Sequence, residues 1–168
     1  MFSRLLGAMN ALGTLWIFAL MLLVNSDIVG REIFGAPVRG TTELLALSIV
    51  GIVFLQLGHT LMIGRMTRSD MVIEGLLLRR PRIGRLLQGI FHLLGAVFLA
   101  LVFYGSIAPF QEAVEIGEYV GAAGDFTAPT WPIKLLILIG SAATCLQYLV
   151  LAGIDLRHVL SSETETAQ

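Results

Sequence analysis

Along this chain, long runs of apolar side chains alternate with short segments that hold nearly all the charges. Four windows contain no charge at all. Arg4 to Asp27 encloses 22 residues, Glu43 to Arg65 encloses 21, Arg85 to Glu112 encloses 26, and Lys134 to Asp155 encloses 20. A bilayer core about 30 Å thick is crossed by roughly 20 residues rising about 1.5 Å each. In lipid the backbone must satisfy its own hydrogen bonds, and a helix does this within one segment. The pattern therefore predicts an all-α membrane protein. Its four transmembrane helices are expected at about residues 8–28, 43–63, 88–109 and 133–153. The first window is longer than the apolar core of a secretory signal, about 7–15 residues, and no cleavage site followed by a soluble domain appears. It is read as a retained helix.

Residues 1–160 form one transmembrane domain in this reading, and the polar end at 161–168 is expected to be disordered. Composition agrees: 14% of the 168 residues are charged, against roughly 25% in soluble domains. The lone Cys145 excludes an internal disulfide and a Cys-x-x-Cys site.

The distribution of positive charge predicts the orientation. Arg65, Arg68, Arg79, Arg80, Arg82 and Arg85 lie between the second and third windows, with Arg4 and Arg157 on the same side. Only Arg31, Arg39 and Lys134 lie on the other. Basic short loops face the cytoplasm, so both termini are expected inside. The basic segment also reads as an amphipathic surface helix at about residues 69–80. Ser69 is a candidate N-cap, Asp70 and Glu74 suit the helix dipole, and Val72, Ile73, Leu76 and Leu77 share a face. The arginines around it would anchor the protein to lipid phosphates. An ordinary basic loop is the alternative. After the third window, a short helix from Pro109 and an irregular glycine-rich turn are expected.

Chemistry is sparse. No nucleophile with its base, no His-Glu-x-x-His and no phosphate-binding glycine loop is present. The chain is expected to be neither an enzyme nor a holder of a metal or cofactor. His59 and His92 fall at similar depth and leave open a haem reading. The arginine-rich loop lacks interleaved aromatics, which argues against nucleic acid. The middles of the windows hold few polar side chains, notably Ser48, Gln56, Ser141, Thr144 and Gln147. Small residues there suit close helix packing.

The most specific stretch is "NSDIVGREIFGAPVRGTTEL", from Asn25 to Leu44. Asp27 and Glu43 stand against the ends of two apolar runs, with Arg31 and Arg39 between them. A carboxylate at the bilayer edge is costly without a partner, and a guanidinium reduces that cost. Arg31 or Arg39 is therefore expected to pair with Asp27 or Glu43, fastening the first two helices or presenting a charged docking surface.

The run Arg31–Pro37 followed by Glu43–Leu44 resembles the "R-Y-x-F-x-x-P … E-L" stretch of the small, DctQ-type membrane subunit of TRAP transporters, the tripartite ATP-independent periplasmic transporters. Gly58 and "TAPTWPIKLLILIG", with Pro129, Trp131 and Pro132, fit as well. Glu32 departs from the usual tyrosine, and Arg39–Gly40–Thr41 stands where a tryptophan often precedes the Glu-Leu pair. The resemblance implies a bacterial inner-membrane scaffold subunit of a sodium-coupled solute-uptake system. Its partners would be a large membrane subunit carrying the substrate and sodium sites, and a periplasmic substrate-binding protein met by outer loops that include Trp131. The carried solute would be an organic acid. The rival reading is a small homodimeric, proton-coupled four-helix exporter, for which Glu43 and Asp27 are the only candidate carboxylates.

Overall fold

The computed structural model describes residues 2–64, 81–122 and 126–164. Among them are four long helices, α1 (Phe2–Phe34), α2 (Thr41–Met62), α3 (Pro81–Glu115) and α4 (Trp131–Thr164). Each contains a stretch long and apolar enough to cross a membrane. The chain is an all-α membrane protein with four candidate spans. The expected surface helix at 69–80, with Arg65, Arg68, Arg79 and Arg80, lies outside the described residues, while Arg82 and Arg85 fall in the first turns of α3.

The helices run past the charge-free windows. At about 1.5 Å per residue, the 33 residues of α1 and the 35 of α3 exceed the hydrocarbon thickness and project beyond it. Half of the charged Asn25–Leu44 stretch thus lies in α1, with Asp27 and Arg31 in its last turns. Helix α3 also continues through Pro109 to Glu115 as one element. A proline inside a helix removes one backbone bond, and here it does so within two turns of the end.

Local chemistry sets the boundaries. Gly35 ends α1 at φ +60°, and Gly40 starts α2 at φ +77°. Left-handed backbone of this kind carries little cost only for glycine. At the end of α3, Glu118 N–H bonds Ala113 C=O at 3.0 Å across Gly117 at φ +62°, the six-to-one bond of a Schellman-type cap. A small antiparallel hairpin follows, β1 (Tyr119–Ala122) paired with β2 (Phe126–Pro129). The hairpin stands where an irregular turn was expected.

Helix α4 is the organising element. It packs against α3 on one side and α2 on the other, and α1 packs on α2. The four-residue core of Leu6, Met9, Leu55 and Ala143 joins α1, α2 and α4, with Trp16 and Leu136 against it. Buried polar groups in the middle are closed locally. Ser141 and Thr144 hydroxyls donate to Ile137 C=O at 2.6 Å and Gly140 C=O at 2.7 Å in their own helix. The Trp16 indole donates to Ser48 Oγ at 3.2 Å across the α1–α2 contact. Much of the remaining apolar surface of α1 and α3 is uncovered: Leu15, Phe98, Leu101 and Tyr104 are all exposed.

Candidate functional site

The described charged side chains gather at the two ends of the bundle, and the richer end carries the α1–α2 connection and the hairpin. Asp27 is buried there, at 7% exposure. Its Oδ2 accepts a hydrogen bond from Arg31 Nη2 at 2.9 Å, one helical turn along α1. Its Oδ1 accepts the Val38 backbone N–H at 2.8 Å. One carboxylate thus holds a guanidinium and ties the connecting segment back onto α1. The ion pair lies within α1 rather than between helices. Helix α2 is approached instead through the backbone, because Thr41 Oγ1 donates to Val38 C=O at 2.9 Å.

Glu43 lies in the first turn of α2, where a carboxylate faces the positive end of the helix dipole. Among the described residues it makes no salt bridge. Arg39 is exposed on the connection. The hairpin reaches this segment at Gly40. A Cβ built on Gly40 would meet the Phe126 ring at 2.1 Å, so the ring lies directly on the glycine backbone. The α1–α2 connection and the hairpin therefore form one surface.

The hairpin is in turn clasped to α4. Lys134 Nζ pairs with Glu118 Oε2 and reaches Pro109 C=O at 3.3 Å. Thr130 N–H bonds Glu118 C=O at 3.0 Å. The Lys134 ammonium holds the Glu118 carboxyl below the usual carboxylate range, by hydrogen bonding first and by charge second. A depressed pKa in the folded state adds stability above the unfolded pKa and loses it as pH falls through the folded value. Acidification below the ordinary carboxylate range is thus expected to loosen the clasp. Trp131 fluorescence followed against pH checks this, and Glu118→Gln is expected to flatten the profile.

Trp131 begins α4 and is 43% exposed. With Phe110, Ala113, Val114, Gly117 and Pro129 it lines an open apolar depression of about 480 Å³. Pro129, which pairs with Tyr119, places it at the base of the hairpin, while Phe126 pairs with Ala122 at the other end of the strands.

The other end holds a pair that the sequence reading missed. His92 is buried on α3, and its Nδ1 lies 2.6 Å from Asp155 Oδ2 on α4. Asp155 closes the fourth charge-free window, whereas His92 stands seven residues inside the third, so their positions along the chain gave no signal of the pairing. Asp155→Asn keeps a hydrogen-bonding group but not the charge. It is expected to weaken this end of the α3–α4 contact by about 1 kcal/mol, read as faster amide exchange around His92. His59 lies late in α2, and its Nδ1 is buried without a hydrogen bond among the described residues. No group of three or more potential metal ligands occurs among the described residues.

Neither the comparison with curated proteins nor that with solved structures found a match. The family model for the DctQ component of tripartite ATP-independent periplasmic transporters matches residues 20–157, a range running from the middle of α1 to the last turns of α4 and taking in the Asp27 cluster, the hairpin and the His92–Asp155 pair. The chain is a multi-pass membrane protein and belongs to the DctQ family, the small subunits of TRAP transporters, which is a family of transporter components and not of enzymes.

Proposed function

We propose that this chain is the scaffold subunit of a sodium-coupled TRAP uptake system in a bacterial inner membrane. It binds the large membrane subunit and holds it at a fixed depth and tilt, while the large subunit carries the solute and the sodium sites. One observation supports this most. The described Asp, Glu, Lys, Arg and His side chains stand toward the two ends of the helices, Asp27, Arg31, Glu43 and Lys134 at one and His59, His92 and Asp155 at the other. A coupling carboxylate in a proton- or ion-driven carrier works near mid-depth, within a path for the solute. The middle of this bundle is instead filled by helix backbones in close approach and by hydroxyls bonded to their own helices. Such an interior suits a static part.

The hairpin end, with Arg39, Glu43 and Trp131, faces the periplasm in this reading and offers a surface to the substrate-binding protein. The arginines at 65, 68, 79, 80, 82 and 85 face the cytoplasmic lipid surface and resist tilting.

The test is purification of the tagged chain in mild detergent from its native membrane, followed by reconstitution. A stoichiometric large membrane subunit is expected to co-purify. Proteoliposomes holding both chains are expected to take up solute with the binding protein and an inward sodium gradient, and proteoliposomes of this chain alone are expected to take up none. A pure homodimer with proton-driven export would overturn the proposal.

A further inference from the structure

One flank of the α1–α2 pair carries polar groups at a depth where lipid has nothing to offer them. Thr14 stands 10 residues after Arg4 and 13 before Asp27, and Gln56 stands 13 after Glu43 and 9 before Arg65. Both are therefore near the middle of their windows. Thr14 is exposed and Gln56 half-buried. The Gln56 amide nitrogen donates to Thr14 Oγ1 at 3.4 Å, a long bond, while the Thr14 hydroxyl donates to Asn10 C=O at 2.9 Å. Among the described residues the Gln56 amide oxygen accepts nothing, and the half-buried Asn10 side chain has no hydrogen bond.

These residues form two adjoining stripes. Asn10, Thr14, Ile17 and Met21 follow helical spacing on α1, and Ile49 and Gln56 lie two turns apart on α2. Ile17, Met21 and Ile49 are all about half exposed. An apolar stripe alone would suit acyl chains. An amide oxygen left open at mid-depth, with a whole amide one turn nearer the Arg4 end, does not, because acyl chains donate no hydrogen bonds and water is absent at mid-depth. Polar side chains in this position are typical of helix–helix contacts within membranes.

Resting on the scaffold reading, we infer that this flank receives a transmembrane helix of the large membrane subunit, with a hydroxyl, amide or indole donor opposite the Gln56 amide oxygen. The exposed face of α3 that carries Leu94, Phe98 and Leu101 is apolar throughout and faces lipid.

Site-specific photo-crosslinking in the intact complex tests the assignment. A benzophenone amino acid at Ile17 or Ile49 is expected to capture the large subunit, and one at Phe98 or Leu101 to capture none. Gln56→Leu is expected to lower retention of the large subunit roughly threefold to tenfold, beyond any change in the melting of the isolated chain. Crosslinks at Ile17 and Ile49 only to lipid, or only to a second copy of this chain, would overturn the assignment if the large subunit still co-purifies. Failure of the unsubstituted chain to retain any large subunit would instead defeat the scaffold reading, and the assigned face with it.

Discussion

Asp27→Ala is expected to lower the thermal midpoint of the detergent-solubilised protein more than any other single change at the hairpin end. The carboxylate is buried and makes two bonds of different kinds. One joins two opposite charges, to Arg31 Nη2 at 2.9 Å, and the other takes the neutral Val38 N–H onto the carboxylate at 2.8 Å. Bonds that involve a charged group contribute about 1.5–3 kcal/mol each, against about 1 kcal/mol for neutral ones. The two contributions are discounted here, because the Arg31 side chain is 64% exposed and water screens its pairing. The bond to Val38 is then the more valuable half, since it fixes the segment that carries Pro37, Arg39 and Gly40 onto α1. A total loss of about 2–3 kcal/mol follows for alanine. Asn keeps an acceptor for Val38 and gives up the charge, so Asp27→Asn is expected to lose about half as much. Arg31→Ala removes only the screened pairing and is expected to cost under about 1 kcal/mol. The order Ala, Asn, then Arg31→Ala, read by tryptophan fluorescence during heating, is the check. Equal losses for Asp27→Ala and Arg31→Ala would show that the guanidinium, not the loop, is what the carboxylate stabilises.

This cluster also shows how far sequence alone reaches. Charge spacing located Asp27 and Arg31, and the cost of an unpaired carboxylate at a bilayer edge made their pairing an expectation. Its geometry was hidden by where α1 ends. Charge marks the edge of the hydrocarbon, whereas a helix continues until a residue such as Gly35 at φ +60° stops it. Arg31 therefore meets Asp27 as a neighbour on the same helix, and the link to α2 passes through Val38 and Thr41 instead. The hairpin escaped for a related reason. Its strands are four residues each, and glycines at 117 and 121 read as irregularity. What defines it is the Phe126 ring over Gly40, a contact between segments 86 positions apart in the chain. The four spans were legible because hydrophobic length is a one-dimensional property. Which helices touch is not, and in this bundle the answer is written in glycines.

Gly140→Ala isolates the tightest of those contacts. A Cβ at this position would lie 2.4 Å from Phe54 C=O oxygen and 2.7 Å from its carbon, both atoms of the α2 backbone. No flexible side chain tip stands there to swing aside, so the helices themselves must separate. Overpacking of this kind costs about 1–3 kcal/mol, and a rigid partner places the cost toward the upper end. Alanine also favours a helix over glycine by about 0.5–1 kcal/mol, which offsets part of it. The net expectation is a loss of about 1–2 kcal/mol, a fall of roughly 2–8 °C in the thermal midpoint. Gly153→Ala provides the comparison within the same helix. Nothing lies within 4 Å of its Cβ position, so only the propensity gain applies and the midpoint is expected to rise slightly. Opposite signs at Gly140 and Gly153 would attribute the effect to the α2–α4 approach. That approach is also what fixes Leu55 against Ala143 and, through Gly58, brings Leu6 to Thr144. Loosening it should therefore disturb the seating of α1, and with it retention of the large subunit. If Gly140→Ala melts lower yet keeps its partner fully, the stiffness of the α2–α4 core and the docking of α1 are separate properties.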